Sequence, residues 1–204
     1  MAISTSVRNA HQWYARGEAQ RWRCAPAPQE VQAFHHSLPG YAPTPLVEAP
    51  TLARELGVAR VFVKDESARL ALASFKVLGA SWASFRALSS LAENDTSSTR
   101  DGTGPATFAR LRTLALSLGR IQLVTATEGN HGHAVARIAS LLGLPAHIWV
   151  PDVVPPDVIA SIRSEGAKVT VTAASYDKTV IDAAAYAADT GSVLVQDTSW
   201  SGYE

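Results

Sequence analysis

Between residues 121 and 196 the chain alternates between two hydrophobic rhythms. The segments IQLVTAT, PAHIWVP, AKVTVT and SVLVQD are short apolar runs rich in β-branched residues, the composition of buried strands. Between them, NHGHAVARIASLLG places Ala134, Ile138, Leu141 and Leu142 on one helical face. PPDVIASIRSEG sets Pro155 or Pro156 near a helix start and Gly166 past its end, and YDKTVIDAAAYAADTG reads as a further helix. Strands alternating with helices through short joins predict a parallel sheet covered on both faces, because parallel neighbours need crossover connections.

Upstream the pattern is less regular. Pro26, Pro28, Pro39, Pro43 and Pro45 break the early chain and predict an extended arm with one short helix over 29–37. TLARELGV sets Leu52 and Leu56 one turn apart and stops at Gly57, a candidate C-cap, and ARVFVKDES has strand composition. Ser74, a candidate N-cap, precedes FKVLGASWASFRALSSL, where Phe75, Leu78, Trp82, Phe85 and Leu88 recur at helical spacing, so Lys76 falls in the first turn. AENDTSSTRDGTGPAT reads as a polar surface loop. The chain stops at TSWSGYE without a terminal helix, which reads as an interruption.

Composition narrows the class of function. With 204 residues, 47% hydrophobic and 18% charged, the chain has enough apolar material for one large globular domain or two small ones. Eighteen basic residues balance eighteen acidic ones without a basic run, which removes the usual signature of nucleic-acid or anionic-membrane binding and favours small-molecule chemistry. The single Cys24 cannot form an internal disulfide and has no companions for a zinc or iron–sulfur site, so a reducing cytoplasm is expected. The N-terminal stretch lacks an apolar signal core, and no apolar run approaches the ~20 residues of a spanning helix, so neither export nor membrane anchoring is expected.

Two stretches could carry chemistry. In TATEGNHGHAVA a strand ends near Thr127, and Gly129 and Gly132 bracket Asn130 and His131 at the next helix start, where free N–H groups and the helix dipole favour an anion. Taken alone, the plainer reading is a tight turn that needs glycine. Lys76 also has a plain reading, as a snorkelling surface lysine. Yet a lysine in a first turn opposes the dipole, and no neighbour in ALASFKVLGA offers a carboxylate. A desolvated lysine, by contrast, can form Schiff bases. His131 and His133 lie two apart and so on different helical faces, and neither they nor His35 and His36 complete a metal-ligating cluster. No metal site is expected, and His131 reads as structural.

SFKVLGA and TEGNHGHAVA, in this order and joined by alternating strands and helices, resemble the pyridoxal-phosphate (PLP) enzymes of the tryptophan-synthase-β fold type, fold type II, which include serine and threonine dehydratases and threonine synthase. Within that group FHHSLPGYAPTPL, VKDES, GNHG, YDKTV and QDTSWSGYE most resemble the diaminopropionate ammonia-lyases, over a span from Phe34 to the last residue. The resemblance implies an α/β fold with three-layer parallel sheets: an arm and the start of a large domain over 1–85, a small domain over 86–195, and a return to the large domain over 196–204. It implies PLP as cofactor and a small amino acid as substrate, with 2,3-diaminopropionate undergoing β-elimination through aminoacrylate to pyruvate and ammonia.

By position, Lys76 matches the lysine that forms the internal aldimine and later acts as base at Cα. Asn130 matches the asparagine that hydrogen-bonds the cofactor's phenolic oxygen. Phe75, Gly129, His131 and Gly132 fall where the family shapes its pocket. Glu128 replaces an aspartate proposed as second acid/base, one methylene longer, and Asp197 matches a segment that approaches the substrate's β-amino group. Ala71 stands where the family usually has glycine. The family's glycine-rich phosphate loop comes after the point where this chain ends, which leaves open a truncated pseudoenzyme or half of a split protein acting as an interaction module. A serine or threonine dehydratase-like substrate is a further alternative. A homodimer, or a partner covering exposed faces, is expected, with no nucleic acid and no membrane.

Overall fold

The computed structural model describes residues 26, 28–94 and 104–198. The expectations for Cys24, the first part of the arm, the middle of the polar loop and the final SWSGYE lie outside the described residues.

The arm carries α1 (Glu30–His36), within a residue of the predicted ends, and Phe34 is its buried anchor. β1 (Leu46–Glu48) and β2 (Phe62–Lys64) pair antiparallel with Val47 opposite Val63, and α2 (Pro50–Leu56) lies between them, ending at Gly57 in a left-handed cap (φ 66°). β1 carries no periodic signal, since it has only three residues and follows two prolines. α3 (Lys76–Asn94) starts at the lysine. Phe75, expected on its apolar face, instead precedes the helix and is 61% exposed.

α4 (Phe108–Ser117) is absent from the sequence reading. Thr107 caps it by accepting from Arg110 N, and Phe108, Leu111, Leu114 and Ala115 form its buried stripe. The interleaved Arg110 and Arg112 obscure that stripe, although the spacing and the cap were both legible.

The remaining elements follow the predicted alternation. They are β3 (Leu123–Ala126), α5 (Asn130–Leu142), β4 (Ala146–Pro151), α6 (Pro156–Ser164), β5 (Lys168–Thr172), α7 (Tyr176–Thr190) and β6 (Val193–Leu194). The four strands form one parallel sheet in the order β5-β4-β3-β6. Strand side chains divide by parity. Leu123, Ile148 and Val150 join the large core with α3, α4, α5 and α6, whereas Val124, Ala126 and Trp149 face α7 with Val180 and Ala183. α5 is packed between the sheet and the α3–α4 pair, so eight of its residues are buried. Leu141, expected on that buried face, turns outward and is 39% exposed.

The strand order positions the site. From β3 the chain steps through β4 to the edge at β5, then α7 carries it back to β6 on the other side of β3. The connection leaving β3 leads to β4 on one side while β6 is laid down on the other, and the crevice at such a switch point, beyond the carboxyl ends of the strands, is the usual place for a ligand in an open parallel sheet.

Candidate functional site

Lys76 reaches this crevice from an unusual backbone. The short turn Arg69–Ala71 and the residues after it hold three non-glycine residues in the left-handed region, Leu70 (φ 47°), Ala71 (φ 59°) and Ala73 (φ 52°). A side chain disfavours that region by roughly 1–2 kcal/mol per residue. Two arginines pin the segment. Arg69, 4% exposed, donates from Nε to Glu66 Oε2 (2.6 Å), from Nη2 to Glu66 Oε1 (3.0 Å) and Thr44 Oγ1 (2.9 Å), and from Nη1 to the Ala42 carbonyl (2.9 Å). The Arg69 hydrogen bond draws the Glu66 carboxyl down to about 2 against the opposing effect of burial. From α5, Arg137 donates to the Leu70 carbonyl (3.4 Å) and forks onto Glu165 at 2.7 Å through both Nε and Nη2. Ser74 Oγ then accepts from Lys76 N (3.3 Å) and starts α3, so Ser74 serves the capping role predicted for it.

The wall opposite is the β3–α5 turn. Thr127 ends the strand by donating from its backbone to the Trp149 carbonyl (2.9 Å), and its Oγ1 accepts from Gly129 N (2.9 Å) and Gly132 N (3.0 Å). Gly132 is needed for packing: a Cβ there would overlap Thr127 Cγ2 and lie 2.8 Å from Ile148 Cγ2. That close approach lets α5 lie against β3 and β4.

The floor comes from the segment after β6. Val195 N continues the ladder to the Val124 carbonyl (2.8 Å), and the chain then leaves the sheet. Asp197 Oδ2 accepts from Lys76 Nζ at 2.5 Å across 121 residues of sequence, and lies 3.8 Å from His131 Nδ1. Burial pushes the Asp197 carboxyl up, but the Lys76 hydrogen bond and the His131 and Lys76 charges overcome this and hold it below its ordinary range. His131 Nε2 donates to the Val195 carbonyl (2.8 Å). Its desolvation outweighs that bond and lowers its pKa, and because a carbonyl only accepts, Nε2 carries a proton.

These walls enclose a cavity of about 300 Å³. Six predicted residues line it: Lys76, Glu128, Gly129, Asn130, His131 and Asp197. Phe75 stands outside, with Lys76 Nζ 5.9 Å from its ring centroid, and Gly132 lies beneath the turn. Glu128 and Asn130 are exposed at the rim.

The sequence reading missed Thr127 and Tyr176, which complete the lining, and Gln196, which fastens the floor. Tyr176 stands at the start of α7 in the quoted YDKTV, but its bond from Gln196 Nε2 (3.2 Å) joins elements with no sequence proximity. Burial, and then the Asp197 charge, raise the Tyr176 phenol, so it is neutral near pH 7. The cavity thus brings together an amine, two carboxylates, an imidazole, a phenol and a side-chain amide. Among the described residues no group of three or more His, Cys, Asp or Glu could hold a metal ion, and no helix is long and apolar enough to cross a membrane.

Residues 37–204 match the family model described as pyridoxal-phosphate dependent enzyme. Among curated proteins the chain is similar to the diaminopropionate ammonia-lyase of Salmonella typhimurium, 40% identical over 177 residues that cover 86% of this chain and 42% of the relative. Among solved structures, diaminopropionate ammonia lyase from Escherichia coli superposes in apo form with a TM-score of 0.73 at 34% identity, covering 86% of this chain and 46% of that one. The same E. coli enzyme in complex with an aminoacrylate-PLP azomethine reaction intermediate gives 0.72 at 33% identity, covering 86% and 42%. The chain therefore spans less than half the length of the relatives it matches.

Proposed function

The chain belongs to the family of pyridoxal-phosphate dependent enzymes, and from that premise we propose that it is the lysine-bearing part of an ammonia-lyase that eliminates the β-amino group of 2,3-diaminopropionate. One diaminopropionate and one water give one pyruvate and two ammonia: one nitrogen leaves Cβ as the Cα proton is removed, and the other leaves when water adds at Cα.

The residues present fit the cofactor. A primary amine stands on the wall of a cavity whose volume, about 300 Å³, matches the low end of small-molecule sites. Lys76 would hold the cofactor at its aldehyde carbon and Asn130 at its phenolic oxygen. When bound, PLP supplies the electron sink that acidifies the substrate's Cα–H. The rest of the work falls to this chain's side chains. Lys76 Nζ takes the proton at Cα. Asp197, already bonded to that amine, steers its proton and receives the substrate's β-amino group. Glu128 at the rim protonates the departing nitrogen, with its extra methylene extending the reach of the carboxyl. His131 holds the Val195 carbonyl and so the floor.

The observation that carries this reading is the short Lys76–Asp197 contact on a cavity that also holds Glu128. Two carboxylates beside one amine suit a substrate with two ammonium groups better than one with a hydroxyl. The same reading assigns 1–85 to the arm and the start of a large domain, 86–195 to a small domain and 196–204 to the return. It places the protein in the cytoplasm. It also gives it a homodimer contact or partner over the β1–β2 face, where Leu46, Val47, Phe62 and Val63 are all exposed.

The test is to add PLP to the purified chain and record the visible absorbance of the lysine-bound cofactor, with Lys76→Ala as control. A band that depends on Lys76 is expected, and its absence sinks the cofactor role and favours an interaction module. Pyruvate release is then compared among D- and L-diaminopropionate, serine and threonine. Preference for threonine overturns the substrate assignment.

A further inference from the structure

The Asp197 carboxylate meets Lys76 just where the main chain leaves the sheet. β6 has only two residues, and its last ladder bond is Val195 N to the Val124 carbonyl at 2.8 Å. The next residue, Gln196, is 7% exposed, and its side chain takes over from the backbone. Oε1 accepts from Ala126 N (3.0 Å) while Nε2 donates to the Ala126 carbonyl (3.1 Å), so one side-chain amide pairs with one peptide unit as a neighbouring strand would. Oε1 also accepts from Thr125 Oγ1 (2.9 Å), and Nε2 also donates to Tyr176 Oη (3.2 Å). These four bonds use both lone-pair directions of the oxygen and both amide hydrogens.

We propose that Gln196 is a positioning residue: its amide extends the β3–β6 pairing by one rung, and this sets the Asp197 carboxylate against Lys76 and the Tyr176 hydroxyl at the cavity wall. The inference concerns the cavity's own geometry, so it does not depend on the cofactor or substrate reading. Tyr176 accepts from the amide, which leaves its hydroxyl proton and remaining lone pair for the cavity. Asp197 follows one residue later, so a rotation of the 196 peptide would swing its carboxylate away from Nζ. Only a planar group with both donors and acceptors can pair with Ala126 while reaching Tyr176.

Gln196→Glu tests this with almost no change of shape. The ionised carboxylate accepts but cannot donate, so it loses and repels the Ala126 carbonyl, and the Tyr176 hydroxyl must turn from accepting to donating. When protonated, the introduced group recovers one donor. The Ala126 N–H and the Thr125 hydroxyl favour its charged form, but burial, the Ala126 carbonyl and the Asp197 charge oppose it, so its ionisation is expected above the ordinary glutamate range. The readout is reductive methylation of Lys76 without cofactor, followed by peptide mass spectrometry and normalised to Lys168 in the same sample.

Relative to the native chain at each pH, Lys76 in Gln196→Glu is expected to react about fivefold faster once the introduced carboxyl is ionised, as its ion pair loosens. The ratio should return toward one at lower pH. A purely structural role would move the unfolding midpoint without a pH-dependent change in this ratio. A ratio of one at every pH overturns the proposal. If Gln196→Glu does not fold, Gln196→Met, which removes the four bonds without adding charge, should show a similar acceleration that does not vary with pH. No acceleration in a folded Gln196→Met, or failure of both variants to fold, overturns positioning in favour of a structural role. Because no cofactor is present, a failed PLP test leaves this result readable.

Discussion

The two ends of the described chain hold themselves together by different means. In the sheet half, β3 is buried at every position and β4 at five of six, and Leu123, Ile138 and Ile148 are fully enclosed. In the front half, β1 and β2 are exposed at every position, with Leu46 at 64% and Phe62 at 47%. Apolar burial sustains the first, at about 1.5–3 kcal/mol per enclosed large side chain. The front half leans on a polar clasp, where Arg69 ties Tyr41, Ala42, Thr44 and Glu66 together. The lysine stands at the seam: α3 begins where the clasp ends, and its amine is held by a carboxylate from the far end of the sheet half. Site geometry therefore depends on both kinds of cohesion.

The sharpest way to break that contrast is Arg69→Met. It removes the charge from a buried fork and strands Glu66, which costs about 3–5 kcal/mol in such pairs. Hydrogen exchange should show protection lost over residues 41–76 and kept in β3 and β4. Equal loss in both regions would mean that the halves are one cooperative unit. Gly132→Ala, the matching insult to the sheet half, drives a methyl group into Thr127 and Ile148 and should cost about 1–3 kcal/mol by denaturant melt. It should also disturb the turn that Thr127 closes, so PLP-dependent absorbance should fall with it. A normal melt would mean that β3 and α5 can separate without penalty.

Acid should act on the front half first. The Glu66 carboxyl is depressed from 4.5 to about 2 in the folded chain, so its stabilising contribution is complete above pH 4.5 and is lost as the pH falls from there toward 2. In Glu66→Gln that part of the acid sensitivity should disappear, although stability at neutral pH is lower. An unchanged acid melt would place the acid-sensitive carboxylate elsewhere, with Glu165, also lowered by its arginine partner, as the next to substitute.

The same contrast explains what could be read from the sequence. Strands buried on both faces, β3 and β4, and helices with glycine caps announce themselves, so the elements from β3 to α7 are legible to within a residue or two, whereas SVLVQD overruns the two-residue β6 by three. β1 is not legible, since three exposed residues after Pro45 have no hydrophobic rhythm. α4 was missed although Thr107, Phe108, Leu111 and Leu114 carried a cap and a stripe. Among the site residues, Lys76, Glu128, Asn130 and Asp197 were chosen by family resemblance, and they do converge on one cavity. The carboxylate partner that ALASFKVLGA lacks is supplied 121 residues away, where local reading could not find it. Gln196 and Tyr176 escaped for a similar reason, because their roles lie in bonds between β3, the end of β6 and α7.

The smallest effect concerns the seam itself. Ala71 stands where glycine was expected, and its backbone keeps a left-handed conformation (φ 59°) that glycine adopts freely. Replacing it by glycine relieves about 1 kcal/mol of steric cost but raises the entropy of the unfolded chain by a comparable fraction. The net expectation for Ala71→Gly is a gain of about 0.5 kcal/mol, read as a small rise in the denaturant midpoint with an unchanged slope. Ala71→Val should do the opposite, since a β-branched residue tolerates this region worse than alanine. Because Leu70 and Ala73 are also left-handed and Arg137 holds the Leu70 carbonyl, relief at one position should not reorder the segment, and Lys76 should keep its methylation rate. If Ala71→Gly instead speeds modification of Lys76, the constrained backbone is itself what aims the amine at Asp197, and the seam owes its geometry to conformation more than to the clasp.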